Sequence, residues 1–433
     1  MDCPQIVVVG GGAGGLELVR KLARKLGRKG KADIHLVDAQ LTHLWKPLLH
    51  EVATGRLDAN IDELDYRAHA FLNNYRFHLG RVCAVDTANR HVHLAAIKDA
   101  SGETLQPSRS LPYDYLVLAV GSRTNDFGTP GVMQHCSQLD SREQADAFHE
   151  HLVNTFLRLN SHADTGELPI LKVGIVGGGA TGVELAAELH NTTALLRAYG
   201  LNLGSDNLQV TLIEAGPRIL PALPERITEA VLHELAELKI DVRHDTAVTR
   251  VTADGFETSG GGFIESDIKV WAAGVKGPEF LSDIEGLDTN RLNQVMVHQT
   301  LQSKSDPHVF ALGDCAECIQ DNGTRVPPRA QSAHQMADTL YSNLVRLIEN
   351  RPMKNFIYKD HGSLISLSRY STVGSLMGNL SGKSMMIEGF IARFVYVSLY
   401  RMHQAAVYGY LKTFLIVLSS QIDQFIRPKL KLH

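Results

Sequence analysis

The sequence predicts an α/β fold of two Rossmann-like units, one inserted into the other, followed by an amphipathic helical tail. Three observations carry this. The pattern G-x-G-x-x-G occurs twice, at Gly10, Gly12 and Gly15 and again at Gly177, Gly179 and Gly182. Each copy follows an apolar strand-like run, opens a helix-like run, and is followed by a second β-rich run ending in an acid, Asp38 or Glu214. One further apolar strand, VFALGD at 309–314, comes only after the second unit is complete, as expected if the first unit resumes near residue 300.

The elements follow in order. Residues 6–38 read as strand, helix, strand. In such a turn the first glycine permits the bend, the second lets backbone approach a pyrophosphate, and the third lets helix pack on strand. The helix N-terminus offers free N–H groups to phosphate, and the acid accepts from ribose hydroxyls. Two such sites imply two dinucleotides held near each other, and so electron transfer between two cofactors. HLWKPLLHEVATG (43–55) reads as a turn and a helix, 112–122 as a strand ending at Gly121, and 140–160 as a connecting helix. Residues 169–216 repeat the opening unit. SGGG (259–262) reads as a hairpin turn, 267–274 as a strand ending at Gly274, 329–350 as a long helix, and 362–378 as short strands.

A chain of 433 residues holds two to four domains. Its net charge of −4 argues against a nucleic-acid binder. Five cysteines fit a reducing compartment without a disulfide framework. No signal peptide is visible, because the first strand starts by Ile6. The charge is uneven. Between 389 and 433 stand six basic residues and one acid, so this tail carries +5 and the remainder −9. The most apolar stretch, 405–418, is too short to span a bilayer and contains Lys412. Val407, Leu411, Phe414, Leu415, Leu418, Ile422, Phe425 and Ile426 recur at helical spacing as one stripe. The earlier segment 390–402 is also apolar and carries Arg393 and Arg401. Such helices lie in the bilayer interface with cations toward anionic head groups; packing on the body or on a second subunit is the alternative.

The motifs GGGAGG with Asp38, YLVLAVGS, GGGATG with Glu214, and ALGD at 311–314 resemble the two-dinucleotide-binding flavoprotein superfamily. HLWKPLLHEVATG, GVE at 182–184, AQSAHQ at 330–335 and the amphipathic tail narrow the resemblance to the type II NADH:quinone oxidoreductases. The resemblance implies one non-covalent FAD, NADH as substrate and a membrane quinone as acceptor. It implies a discontinuous FAD domain (1–164 and 296–370), an inserted NADH domain (165–295) and a membrane-anchoring, quinone-side region (371–433). FAD would be held by Gly10, Gly11, Gly12, Ala13, Gly14, Gly15, Asp38, Lys46, Val82, Gly121, Asp314, Ala333, His334 and Lys383. NADH would be held by Gly177, Gly179, Gly182, Glu214, Ala273 and Gly274. Gln331 and Gln335, four apart on one helix face, would meet the quinone, since an amide donates to a carbonyl without carrying charge. Glu184 would accept or relay a proton; a glutamate that merely favours the helix dipole is the plainer reading. No metal is expected.

The resemblance implies an enzyme peripheral to the cell membrane at its cytoplasmic face, with the tail also available for a homodimer; without a span it is expected not to pump protons. Glu214 would favour NADH, because a carboxylate repels a 2′-phosphate, although Arg218 nearby works the other way. Two alternatives stay open. A sulfide:quinone oxidoreductase would need flavin-flanking cysteines, loosely matched by Cys136 and Cys315; a flavin redox sensor would lack quinone turnover. Cys315-x-x-Cys318 would gain a redox role if a helix N-terminus lowered a thiol pKa.

Overall fold

The structure is a computed structural model that describes residues 3–57, 63–161, 170–198, 205–367, 371–377 and 384–426. In chain order its main elements are β1 (Gln5–Val9), α1 (Ala13–Lys25), β2 (Asp33–Asp38), α2 (Leu49–Ala53), α3 (Tyr66–Asn73), β3 (Arg76–Leu79) and β4 (Tyr115–Leu118). Then come α4 (Arg142–Ser161), β5 (Leu171–Val176), α5 (Ala180–Ala198), β6 (Leu208–Ile213), α6 (Glu225–Glu237), β7 (Asp241–Arg243) and β8 (Ile268–Trp271). The chain closes with β9 (Val309–Ala311), α7 (Ala330–Ile348), β10 (Gly362–Leu367), β11 (Ser371–Met377), β12 (Ser384–Glu388), α8 (Gly389–Tyr408) and α9 (Tyr410–Ile426).

These elements form two compact units: Met1–Trp45, Glu63–Arg123 and Val275–Lys359 in the first, and Lys46–Asp62, Thr124–Gly274 and Asp360–His433 in the second. The first unit is built on a parallel sheet in the order β9-β4-β1-β2-β3. The second carries a parallel sheet in the order β7-β6-β5-β8. Ile6, Val7, Val8, Leu116, Val117 and Leu118 are fully buried, as expected of strands covered on both faces. These units divide the chain at other positions than the expected domain limits at 164/165, 295/296 and 370/371. Residues 46–62 and 124–164 join the second unit because α2 packs on α4 and α5. Leu49, Val52 and Ala53 of α2 and Phe148, Leu152 and Phe156 of α4 are all buried there.

The tail departs from expectation in one respect. Val407 does not share the apolar stripe: it is buried at the end of α8, and Gly409, with φ +89°, breaks the helix before α9 begins. Leu411, Phe414, Leu415, Leu418 and Ile422 do share one face of α9 and are exposed, while Thr413 points inward and is buried. The side chains of Phe425 and Ile426 lie outside the described residues. Among the described residues no helix is long and apolar enough to cross a membrane.

Within the first unit α1 packs along α7, and an ionic cluster centred on the buried Glu17 joins them. Glu17 Oε2 lies 2.5 Å from His334 Nδ1, and Glu17 Oε1 lies 2.5 Å from Lys21 Nζ, which also pairs with Asp338. Burial alone would raise the Glu17 carboxyl, but the hydrogen bonds and charges of His334 and Lys21 outweigh it and hold it below its ordinary value. A depressed folded pKa gives stability that is present above the unfolded pKa and lost as pH falls through the folded one. Glu17→Gln should therefore cost about 2 kcal/mol in denaturant melts at neutral pH. The gap should close as pH falls below about 4; an equal gap throughout would contradict this role.

Candidate functional site

The two fingerprints adopt one geometry. Gly10 and Gly177 stand at φ +101° and +114°, which only glycine adopts readily. Gly10 N–H donates to Val37 O at 2.8 Å, and Gly177 N–H to Ile213 O at 2.8 Å. A Cβ on Gly15 would overlap Gly10 O, and one on Gly182 would overlap Gly177 O, so helix and strand touch through bare backbone in both. A Cβ at Gly12 or Gly179 would meet nothing within 4 Å. Each loop thus leaves open the cradle a pyrophosphate needs at a helix N-terminus. The residues present fit two dinucleotides.

The acids act on the loops as well. Gly11 N–H donates to Asp38 Oδ2 at 2.6 Å, and Gln40 N–H to Asp38 Oδ1 at 2.8 Å. Gly178 N–H donates to Glu214 Oε2 at 2.7 Å, and Gly216 N–H to Glu214 Oε1 at 2.7 Å. Both carboxylates are fixed by backbone amides before any ribose arrives. Arg218 is held elsewhere, donating to Pro221 O at 2.8 Å.

The first loop has a backing the sequence did not reveal. Tyr66, at the start of α3, is buried and donates to Gly11 O at 2.7 Å. Its ring stacks on Phe77 at 5.2 Å. Burial, reinforced by the Asp38 charge, pushes the phenol well above its ordinary pKa, so it stays a donor. Burial drives the neighbouring His43 imidazole down to about 4, against a hydrogen bond to the Gly11 backbone. Fifty-five residues separate Tyr66 from Gly11, and no local pattern links them.

At the C-terminal ends of β4 and β9, Gly121 and Gly313 turn with φ +67° and +73°. Asp314 Oδ2 accepts from the Ser122 hydroxyl at 2.8 Å, and Gln294 Nε2 donates to Asp314 O at 2.8 Å. A Cβ on Gly14 would press on Leu312 and on Ala333 O at 2.9 Å, so α1, the 312–314 turn and the start of α7 converge on the first loop. His334 is turned to Glu17. Gln335 gives both ends of its amide to Lys359, donating to Lys359 O at 2.8 Å and accepting from Lys359 N–H at 3.0 Å. Its amide therefore braces a loop instead of standing ready as a donor; Gln331 is half-buried on the same helix.

Lys46 and Val82 have partners of their own. Lys46 belongs to the second unit, its ammonium 3.5 Å from Asp140, and Val82 is buried where its strand pairs with Leu94. Lys383 lies outside the described residues. The thiol expectation is overturned. No α-helix follows Cys315: a single 3-10 turn, 313–315, runs straight into a strand at 316–318. Cys315 is buried, its S–H on Leu118 O and Leu312 O, and burial pushes it up to about 12 and Cys318 up to about 11. Burial likewise pushes Cys136 up to about 12.

In the second unit Gly274 turns at φ +63°, its carbonyl accepting from Asn125 N–H at 3.3 Å. The Phe127 ring covers the Gly274 Cα, and Trp271 Nε1 donates to Asn125 O at 2.9 Å. Glu184 stands in the second turn of α5 rather than the first, buried, so it is no dipole-capping residue. Ser366 N–H donates to its Oε1 at 3.0 Å, and His50 Nδ1 lies 3.8 Å from its Oε2. Burial raises its pKa, opposed by His50 and the Ser366 amide and abetted by Glu51 and Glu188.

Two preformed dinucleotide loops define a pyridine-nucleotide-linked redox protein, and residues 4–337 match the pyridine nucleotide-disulphide oxidoreductase family model. The chain is 45% identical over 441 residues to a type II NADH:quinone oxidoreductase of Haemophilus influenzae, covering 99% of both chains. A type II NADH:quinone oxidoreductase of Staphylococcus aureus is 26% identical over 393 residues, 88% of this chain and 92% of the relative. Among solved structures, NDH2 of Plasmodium falciparum in complex with NADH superposes with a TM-score of 0.80 at 18% identity, over 99% of this chain and all of that one. The sulfide:quinone oxidoreductase of Aquifex aeolicus gives a TM-score of 0.73 at 18% identity over 94% of this chain and 92% of that chain. The chain belongs to the type II NADH:quinone oxidoreductases.

Because Glu214 is locked by two amides, it cannot swing away from a 2′-phosphate. Glu214→Gln should reduce the kcat/KM preference for NADH over NADPH by roughly tenfold, about 1.4 kcal/mol. An unchanged ratio would remove Glu214 from ribose recognition.

Proposed function

We propose that this chain is a monotopic, non-proton-pumping NADH:quinone oxidoreductase that holds FAD on its first fingerprint and takes NADH at its second. The single observation that carries this is the duplicated, acid-locked loop, in a chain 45% identical to a type II NADH:quinone oxidoreductase. FAD, when bound, supplies chemistry that no side chain here has, taking a hydride from NADH and passing two electrons to a quinone.

The protein's own residues do the holding and steering. The backbone N–H groups at Ala13, Gly14 and Gly15, at the start of α1, neutralise the FAD pyrophosphate, and Asp38 orients the loop and receives the ribose. Gly121, Asp314 and Ala333 flank the flavin side. Gly177, Gly179 and Gly182 with Glu214 do the same for NADH, and Ala273 and Gly274 lie toward the nicotinamide. Gln331 donates to a quinone carbonyl, with Gln335 fixing the adjacent loop through Lys359. Lys46, Val82 and His334 contribute to the flavin side of the FAD site, and Lys383 stabilises negative charge there. Glu184 holds the proton that quinone reduction consumes.

The tail brings the enzyme to its lipid-soluble substrate. The exposed face of α9 enters the bilayer interface, and the basic residues of the tail meet anionic head groups on the cytoplasmic side. The same face also suits a homodimer. The sulfide-oxidising reading is disfavoured because it needs reactive cysteines, and burial holds Cys136 and Cys315 as neutral thiols. The sensor reading is disfavoured by the full-length likeness to enzymes.

Purified protein should be yellow, bleach anaerobically with NADH, and recover its colour on adding a quinone. Bleaching by sulfide but not by NADH would overturn the assignment. Leu411→Ser, Leu415→Ser and Leu418→Ser together should release the protein from anionic vesicles in flotation while leaving NADH-dependent bleaching in place. Undiminished flotation would refute the anchor.

A further inference from the structure

The first unit carries a charged patch that the proposed function leaves unused. Between residues 20 and 31 the chain holds seven basic residues and no acid. Lys21 is engaged by Glu17 and Asp338. Arg24, Lys25, Arg28, Lys29 and Lys31 are all exposed, and among the described residues no carboxylate pairs with any of them. The other face of α1 is anchored: Leu18, Val19, Leu22, Ala23 and Leu26 are fully buried, so the cations are held outward. One or two basic residues in a last turn serve the helix dipole. This segment goes well past that. Arg20 and Arg24, and Lys21 and Lys25, stand four apart, a spacing at which like charges weaken a helix. Arg28, Lys29 and Lys31 lie beyond the helix end.

Apolar side chains stand next to these cations. A Cβ on Gly27 would lie 3.3 Å from Asn74 O, so the turn after α1 touches the turn after α3. α3 buries Tyr66, His69 and Ala70 and leaves Arg67, Phe71 and Leu72 outward. Phe71 is 88% exposed and Leu72 57%. One bare apolar residue needs no explanation. Two adjacent ones beside five cations without a carboxylate have the make-up of a surface that meets a bilayer interface.

We propose that this corner of the first unit, residues 24–31 with Phe71 and Leu72, docks on the anionic head groups of a lipid bilayer. The chemistry favours lipid over a protein partner. Protein interfaces are depleted in lysine, whereas three of these five cations are lysines. Their long stems let the ammonium reach a phosphate while the apolar part stays at the boundary. Phe71 and Leu72 enter between the head groups that the cations hold. One weak signal binds a membrane only reversibly, and stable attachment takes two. The patch is the electrostatic signal and the α9 face the apolar one. Losing the α9 face therefore still ends flotation, while the patch retains a reversible contact. The two are separable because salt screens only the patch. The inference does not depend on quinone turnover.

The test uses the full chain carrying Phe71→Trp as a fluorescent reporter, since Trp45 and Trp271 are buried. On vesicles of mixed phosphatidylcholine and phosphatidylglycerol the emission should shift to the blue and be quenched by brominated lipid. Pure phosphatidylcholine should do neither. Raising the salt from about 0.1 M to about 1 M shortens the Debye length from about 10 Å to about 3 Å and should reverse both effects. Adding Arg24→Gln, Lys25→Gln, Lys29→Gln and Lys31→Gln should weaken equilibrium binding to the anionic vesicles on the order of 10²-fold, with flavin content unchanged. An emission that anionic vesicles leave unmoved would overturn the proposal. So would a shift produced by DNA or polyglutamate but not by vesicles, or a quadruple variant that binds as tightly as its parent. A failed α9 anchor shows instead in flotation of the tail variant, and these readouts still judge the patch.

Discussion

The structure depends on one hydrogen bond made twice: a carboxylate at the end of a parallel strand accepting from the amide at the tip of the neighbouring glycine loop. Asp38 does this for Gly11 at 2.6 Å, and Glu214 for Gly178 at 2.7 Å. A charge-assisted bond of this kind is about twice as strong as a neutral one. It aims the free N–H groups of the following helix at one point, so an incoming pyrophosphate finds its donors already placed. Binding then pays little for ordering the loop. An ionised carboxylate has acceptor sites on both oxygens, so a residue that stiffens the loop is also of the type that can accept from a ribose hydroxyl.

From this constraint the glycines follow. The loop must cross the strand end at positive φ, hence Gly10 and Gly177, and the helix must start against bare backbone, hence Gly15 and Gly182. What surrounds the loops then distinguishes them. The first is backed by Tyr66 and His43 and enclosed by the 312–314 turn and α7. The second has Ile219 behind Gly178, and its helix carries two buried acids, Glu184 and Glu188, facing α2. The first loop is thus backed by aromatic and helical elements, and the second by a helix that carries buried carboxylates.

Much of this was legible in the sequence because it is local. Strand, glycine turn, helix and acid stand within about thirty residues, and their physical reasons are short-range. The turns at Gly121, Gly274 and Gly313 were legible for the same reason. What was not legible involves residues distant in sequence or competing for partners. Nothing near Tyr66 announces that it supports Gly11. The pairing of His50 with Glu184 depends on α2 folding onto α5, which also shifted the expected domain boundaries. Gln335 had the right spacing from Gln331 for a shared substrate face, but Lys359 claims its amide, and Glu17 engages His334. Cys315 had the right spacing for a redox motif, but a strand, not a helix, follows it. Leu411, Phe414, Leu415, Leu418 and Ile422 are exposed on α9, whereas Val407 lies on the far side of a glycine break that periodicity alone does not show.

The most direct test uses the one position in each loop that is open in space. Gly12 sits at φ −63°, and nothing lies within 4 Å of a Cβ at Gly12 or Gly179. Valine there fills the pyrophosphate cradle without disturbing the loop. Flavin content per chain, measured by absorbance, together with NADH binding, measured by calorimetry, should separate the two loops. Gly12→Val should empty the protein of flavin while it still folds and binds NADH, and Gly179→Val should keep its flavin and lose NADH. Loss of both ligands from either variant, or the reverse pairing, would contradict two independent, preformed dinucleotide sites.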